Sequence, residues 1–161
     1  EENVQVWKAL EDAYTAGKVK AIGVSNFLID DLENLLSHCK IRPMVNQLLI
    51  HIGNTPAELI AYCKEQNIVV EAYSPIAHGK ALKNETIVAM AQKYGVSVPQ
   101  LCVKYVLNLG TVALPKTANA EHMQNNANLD FEISNEDMET LKSLNFKNYG
   151  EYSFFPVFSG K

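Results

Sequence analysis

Val19-Lys20-Ala21-Ile22-Gly23-Val24-Ser25-Asn26-Phe27 is the stretch on which the fold turns. A short β-rich run, 19–24, ends in a small polar pair. A helix is predicted next, over about 29–38, with Ile29, Leu32, Leu35 and Leu36 on one side. Asp30 and Asp31 fall in its first turn, where carboxylates favour the positive end of the dipole. Upstream, Val6, Trp7, Leu10, Ala13 and Tyr14 recur at helical spacing over 3–16, and Gly17 supplies the stop. The quoted stretch is therefore the strand of an α-β-α unit.

The same unit recurs downstream. Pro43 introduces a second strand, 44–50, and a helix follows over about 56–66, with Thr55 as N-cap and Pro56 at its first position. A third strand, 68–73, breaks at Ser74-Pro75. The loop 76–84 contains Gly79 and is polar, hence expected to be exposed. Two helices follow, about 85–94 and 99–109, the second opened by Pro99. Thr111-Val112-Ala113-Leu114 is a fourth strand ending at Pro115-Lys116. A helix over about 119–127 comes next, and Ser134 opens another, with Asp137 completing a capping-box-like pattern. The tail 146–161 is aromatic and has no regular period. Strands and helices alternate, and the strands are nearly continuous apolar runs. That predicts an α/β fold with a parallel sheet covered on its faces. No linker, low-complexity segment or repeat interrupts 1–161, so one domain is expected.

Composition narrows the function. The chain has 161 residues, 47% of them hydrophobic and 20% charged, which is ordinary for a globular protein. A formal net charge of -4 gives no attraction to nucleic acid or an anionic membrane. No apolar run approaches the roughly 20 residues of a spanning helix, and no signal-peptide pattern is seen. Cys39, Cys63 and Cys102 lie in apolar helical contexts without CxxC spacing. They read as buried reduced thiols in a cytoplasmic protein, with no metal site. The first residue is Glu1, so the chain is not expected to begin where its gene does.

In parallel α/β folds the working residues lie beyond the carboxyl ends of the strands. Strand one ends in Ser25-Asn26, and strand two carries Asn46-Gln47 inside an apolar run. Strand three ends in Tyr73-Ser74, and strand four in Lys116-Thr117 directly before a helix. Each alone has a plain structural reading: a turn, a satisfied core amide, a core tyrosine, a solvated lysine. Together they suit one ligand. Amides and hydroxyls can pair with a carboxamide, a tyrosine ring can stack on a planar heterocycle, and a lysine with a hydroxyl at a helix start can hold a phosphate. Neither GxGxxG nor a P-loop is present.

At these residues the sequence resembles the aldo-keto reductase family. The matching segments run collinearly along nearly the whole chain. They are Val6 to Glu11, Gly17 to Phe27, Val45-Asn46-Gln47, Tyr62-Cys63, Ala72-Tyr73-Ser74-Pro75, Pro115-Lys116-Thr117, Asn125-Asn126 and Asp130 to Ser134. The resemblance implies the second half of a parallel (β/α)8 TIM barrel, with four strands present. It implies that Ser25, Asn26 and Gln47 bind the nicotinamide carboxamide and that Tyr73 stacks on the ring. Ser74, Ile76 and Gly79 would border the pyrophosphate. Lys116 and Thr117 would meet the ribose phosphate of NADP(H), with NAD(H) as second candidate, and Asn126 the adenine.

The family's catalytic Asp, Tyr, Lys and His belong to the other half of the barrel, so no catalytic residue is assigned here. His51 matches a different family histidine. Leu49 and Ile52 stand where the family has Glu and Pro. His122 stands where many members have an arginine on the 2′-phosphate, which predicts a milder NADPH preference, because a neutral imidazole clamps phosphate less well than a guanidinium.

Four parallel strands leave two open edges. The chain is therefore expected to need the N-terminal half of the barrel or self-association, and to be inactive by itself. The implied function is NAD(P)H-dependent reduction of a small-molecule carbonyl substrate. The alternative is a non-catalytic half-barrel that binds nucleotide or only self-assembles. A weaker third reading is a barrel using the Lys116 region for another phosphorylated ligand. Phe154, Phe155 and Phe158 would either line a substrate pocket or pack outside the barrel.

Overall fold

The computed structural model describes residues 2–150. Helix α1 (Glu2–Thr15) leads into β1 (Gly23–Ser25), α2 (Ile29–His38), β2 (Val45–Leu49), α3 (Ala57–Glu65) and β3 (Val69–Tyr73). A 3-10 segment (Ala77–Lys83) precedes α4 (Glu85–Lys93) and α5 (Val98–Asn108). Strand β4 (Val112–Leu114), α6 (Ala120–Ala127) and α7 (Asn135–Ser143) complete the order. The four strands form one sheet in the order β1-β2-β3-β4. Sequential strands as neighbours, joined by helices, are the signature of right-handed β/α crossovers. The alternation read from the sequence is present throughout, and the fold is α/β.

The chain divides into two compact units, Glu1–Leu48 with Ala57–Glu71, and Leu49–Pro56 with Ala72–Lys161. In the first, β1 pairs parallel with β2 in the register Gly23 to Val45, Val24 to Asn46 and Ser25 to Gln47. Gly23 is required there: a Cβ would lie 2.7 Å from the Val45 carbonyl oxygen and 2.9 Å from its Cβ. Trp7, Ile22 and Leu35 form a buried cluster, against which Leu10, Tyr14, Val24 and Phe27 pack. Two polar contacts pin α1 to the chain before β2. The Trp7 indole donates to the Ile41 carbonyl at 2.9 Å. Glu11, buried, accepts from the Lys40 and Ile41 amides at 2.6 and 2.8 Å. The Ile41 amide above all holds its carboxyl below the usual range.

In the second unit, α5 is the central helix, with Leu101, Cys102, Val103, Tyr105 and Val106 buried. Ser97 caps it and forms a reciprocal capping box with Gln100. Helix α7 is fastened to α4 by a buried carboxylate. Asp137 takes both Lys93 hydrogen bonds, at 2.9 and 2.7 Å, and a short one from the Tyr94 hydroxyl. The Lys93 ammonium, then the Tyr94 hydroxyl, hold its pKa below the ordinary value.

Several elements differ from expectation. Strand β1 begins at Gly23, not Val19, because the ladder starts only where Met44 N–H reaches the Ile22 carbonyl, at 2.9 Å. Strand β4 begins at Val112, since the Thr111 hydroxyl turns back to the Val106 carbonyl of α5 at 2.6 Å. The segment 76–84 is not an exposed polar loop: it coils, and Ala77 and Ala81 are fully buried. The Thr55 hydroxyl pairs with the Tyr105 hydroxyl at 2.7 Å, and α3 starts at Ala57. Ser134 caps α7 through the Asp137 amide, but the Ser134 amide donates to the Tyr94 oxygen, so the box does not close. Cys63 and Cys102 are buried, whereas Cys39 is half-buried.

Candidate functional site

The first unit gathers three of the residues singled out at the strand ends. Ser25 closes β1, and Asn26 follows in the left-handed region (φ 58), where an asparagine is tolerated and the chain reverses. The Gln47 carbonyl receives both the Asn26 amide, at 2.9 Å, and the Ser25 hydroxyl, at 3.1 Å. The Asn26 side-chain amide donates in turn to Ser25 Oγ at 3.3 Å. The Gln47 side chain, half-buried, donates through Nε2 to Glu71 Oε2 at 2.8 Å. Ser25, Gln47 and Glu71 line a concavity of about 350 Å³, floored by Ile22, Gly23 and Val45.

Asn46, one residue away, does something different because successive strand side chains face opposite ways. It is fully buried and donates to the Phe27 carbonyl at 2.9 Å, holding the turn after β1. Its Oδ1 has no partner among the described residues.

The second unit holds the rest. Tyr73 packs against the buried cluster of Leu49, Ala77 and Tyr149. Ser74 (φ 53), Ala77 (φ 50), His78 (φ 52) and Gly79 (φ 84) put four left-handed residues into one short turn after β3. For serine and alanine that conformation is strained, and such strain concentrates where backbone is shaped for a ligand. Ser74 Oγ lies 3.3 Å from His78 Nε2. After β4, a pocket of about 240 Å³ is lined by Ile76, Ser97, Pro99, Pro115, Lys116, Thr117, Glu121, His122, Asn125 and Asn126. Asn119 caps α6, its side-chain oxygen taking the amides of Glu121 at 2.8 Å and His122 at 3.2 Å. Thr117 Oγ1 accepts the Asn119 amide at 3.1 Å. The polar side chains Lys116, Thr117 and His122 thus stand at the start of a helix whose first donors are already engaged.

His51 is committed to structure. It is fully buried, with Nδ1 at 2.6 Å from the Ile52 carbonyl and Nε2 at 2.8 Å from the Tyr149 hydroxyl. A carbonyl only accepts, so Nδ1 carries the proton and Tyr149 donates to Nε2. Burial lowers the His51 pKa to about 4 and pushes Tyr149 up to about 12. The thiols are likewise quiet: burial raises Cys63, and Cys102 to about 12. Among the described residues no group of three or more His, Cys, Asp or Glu side chains could hold a metal ion.

The sequence model of the Aldo/keto reductase family matches residues 2–145. The chain belongs to the aldo-keto reductase family. It is 44% identical over 140 residues to glyoxal reductase from Bacillus subtilis, covering 86% of this chain and 51% of that protein. It is 37% identical over 166 residues to an aldehyde reductase of Saccharomyces cerevisiae, covering 96% and 53%. Among solved structures, a Bombyx mori aldo-keto reductase in complex with NADP superimposes with a TM-score of 0.84 at 30% identity, covering 94% of this chain and 53% of that one. The chain thus spans about half the length of the curated relatives it matches. The four strands and their helices are those of half an aldo-keto reductase (β/α)8 barrel.

Ser25, Asn26 and Gln47 therefore meet in one unit, and Ile76, Lys116, Thr117, His122 and Asn126 meet in one pocket of the other. Ser74 and Gly79 shape the turn after β3 without lining that pocket. Sequence reasoning missed Glu71, Glu121 and Tyr149. For Glu71 a signal existed: a lone charge in Ile68-Val69-Val70-Glu71-Ala72, the same anomaly that marked Gln47. Phe154, Phe155 and Phe158 lie outside the described residues.

Proposed function

We propose that residues 1–161 are one barrel segment and supply the cofactor-holding part of an NAD(P)H-dependent reductase of aldehydes or ketones, working in the cytoplasm on a small carbonyl compound. Ser25, Asn26 and Gln47 hold the nicotinamide carboxamide, and Tyr73 stacks on the ring. Ser74, Ile76 and Gly79 border the pyrophosphate. Lys116, Thr117 and His122 meet the 2′-phosphate, and Asn126 the adenine. The observation that carries this reading is the hydrogen-bonded Ser25–Asn26–Gln47 cluster, where the end of β1 pairs with the middle of β2. It offers amide and hydroxyl groups side by side, which is what a planar carboxamide requires. Within one unit the Ser25–Asn26–Gln47 groups suit a carboxamide, and within the other Lys116 and Thr117 suit a phosphate. When bound, NADPH supplies the hydride that turns the carbonyl into an alcohol. The proton comes from a residue outside this segment, supplied by the N-terminal half of the barrel; a merely self-associated form would lack it.

The phosphate end argues for a mild cofactor preference. Lys116 and Glu121 bring one formal charge of each sign to the pocket, and His122 replaces a guanidinium. NADPH and NADH titrations, followed by quenching of Trp7 and tyrosine fluorescence, test the reading. Lys116→Met should weaken NADPH by about tenfold and NADH by much less, because it removes one charge-assisted hydrogen bond to the phosphate. His122→Arg should tighten NADPH selectively. Equal weakening of both dinucleotides in Lys116→Met would remove the 2′-phosphate assignment.

A nucleotide-binding half-barrel without catalysis is the second reading, favoured by the 240 Å³ pocket being built entirely within one unit. Dinucleotide binding by a 161-residue chain that reduces no carbonyl would support it.

A further inference from the structure

We propose that Glu71 is a positioning residue: it fixes which way round the Gln47 side-chain amide stands, and so makes Gln47 Oε1 an acceptor for the N–H₂ of the nicotinamide carboxamide. This rests on the reading that Gln47 holds that carboxamide.

A glutamine amide is nearly symmetric in shape. Turned by half a rotation it exchanges a donor for an acceptor at almost no steric cost. A site that reads a carboxamide by polarity must therefore break that symmetry. Glu71 does so. Its carboxylate has no proton to give, so the group facing it at 2.8 Å has to be Nε2. The reversed amide would set Oε1 against a carboxylate oxygen, with repulsion in place of a charge-assisted bond. With Nε2 committed, Oε1 stands on the opposite side of the amide.

Ser25 is constrained in the same direction. Its single hydroxyl proton goes to the Gln47 carbonyl at 3.1 Å, and its oxygen already receives Asn26 Nδ2 at 3.3 Å. Glu71 also sits where the role demands. It occupies β3, the strand beside β2, and lines the same concavity as Ser25 and Gln47.

The test uses the full-length reductase that carries these residues and three probes: NADPH, its 3-acetylpyridine analogue, and adenosine 2′,5′-bisphosphate. The acetyl analogue keeps the carbonyl oxygen and lacks the N–H donor. Wild type should bind NADPH about three- to tenfold more tightly than the analogue, the worth of one hydrogen bond. Glu71→Val frees the amide to turn and donate to the acetyl oxygen, so the ratio should fall toward one. Bisphosphate affinity should stay unchanged. Glu71→Gln, which keeps an acceptor but loses the charge, should give an intermediate ratio, and it decides the matter if Glu71→Val does not fold. An unchanged ratio in the variants overturns the proposal, as does a wild-type protein that binds NADPH without discriminating. A wild-type chain that binds bisphosphate but neither dinucleotide overturns the carboxamide reading, and the Glu71 role with it.

Discussion

A histidine with both ring nitrogens engaged shows how local chemistry separates structure from function in this chain. From sequence His51 is a titratable group just past a strand, matched to a family histidine other than the catalytic one. Its burial and its bonds to Ile52 and Tyr149 give it a structural role. The consequence is measurable. Its pKa is about 4 in the folded chain against 6.5 for the free side chain, with burial the main cause and His78 and Lys147 adding to it. A depressed pKa means the unfolded chain takes up the proton first. The contribution is intact above pH 6.5 and is lost as pH falls toward 4, by roughly 3 kcal/mol at the end of that range. Urea midpoints between pH 7.5 and pH 4 should fall steeply for wild type. For His51→Gln they should start lower and fall less over the same window. A parallel decline in both proteins would show that His51 does not dominate it.

At the scale of elements, β1 has little tolerance for substitution. It is three residues long and lies against β2 at a glycine. Gly23→Ala puts a methyl group within 2.7 Å of a backbone oxygen, which cannot swing aside as a flexible side chain could. Destabilisation of about 2 kcal/mol is expected, in the range of overpacked cores. Because Ser25 is only two residues on, NADPH affinity should fall as well. Thermal melts and dinucleotide titration on Gly23→Ala check both effects, and a melt unchanged from wild type would mean the strands separate more easily than their register implies.

The order of elements was legible because it rests on periodicity: helical spacing in α1 and α2, continuous apolar runs in the strands. Boundaries were less so. Nothing local in Val19-Lys20-Ala21 says that no partner strand reaches it, since pairing depends on Met44, some twenty residues on. The segment 76–84 defeats a reading by composition, which reports polarity on average. The burial of Ala77 and Ala81 depends on where the turn aims them.

For the whole molecule, half of a barrel fold is present, with β1 and β4 at the two ends of the sheet order. Exposed apolar side chains occur on the strands themselves, Val69, Val112 and Leu114 among them. Edges and faces of this kind seek partners. Mixing the chain with a polypeptide carrying the first four β/α units of an aldo-keto reductase should therefore give a complex of one copy each, and should restore NADPH oxidation with a small aldehyde. Sedimentation and a 340 nm assay read the two outcomes. A complex without turnover would favour the non-catalytic reading. No association at all would mean these surfaces are satisfied some other way.

By itself the sequence determined the class of fold, the order of its elements and the family. Those properties reside in spacing and residue type, which survive reading one residue at a time. Tertiary structure alone decided that Gln47 is held by Glu71, that Asn46 faces away to Phe27, that His51 is sealed against Tyr149, and that Glu121 shares a pocket with Lys116. Each is a contact between distant or oppositely facing residues. Hydrogen-bond polarity and burial are set by what lies across the gap, and no run of neighbouring residues contains that information.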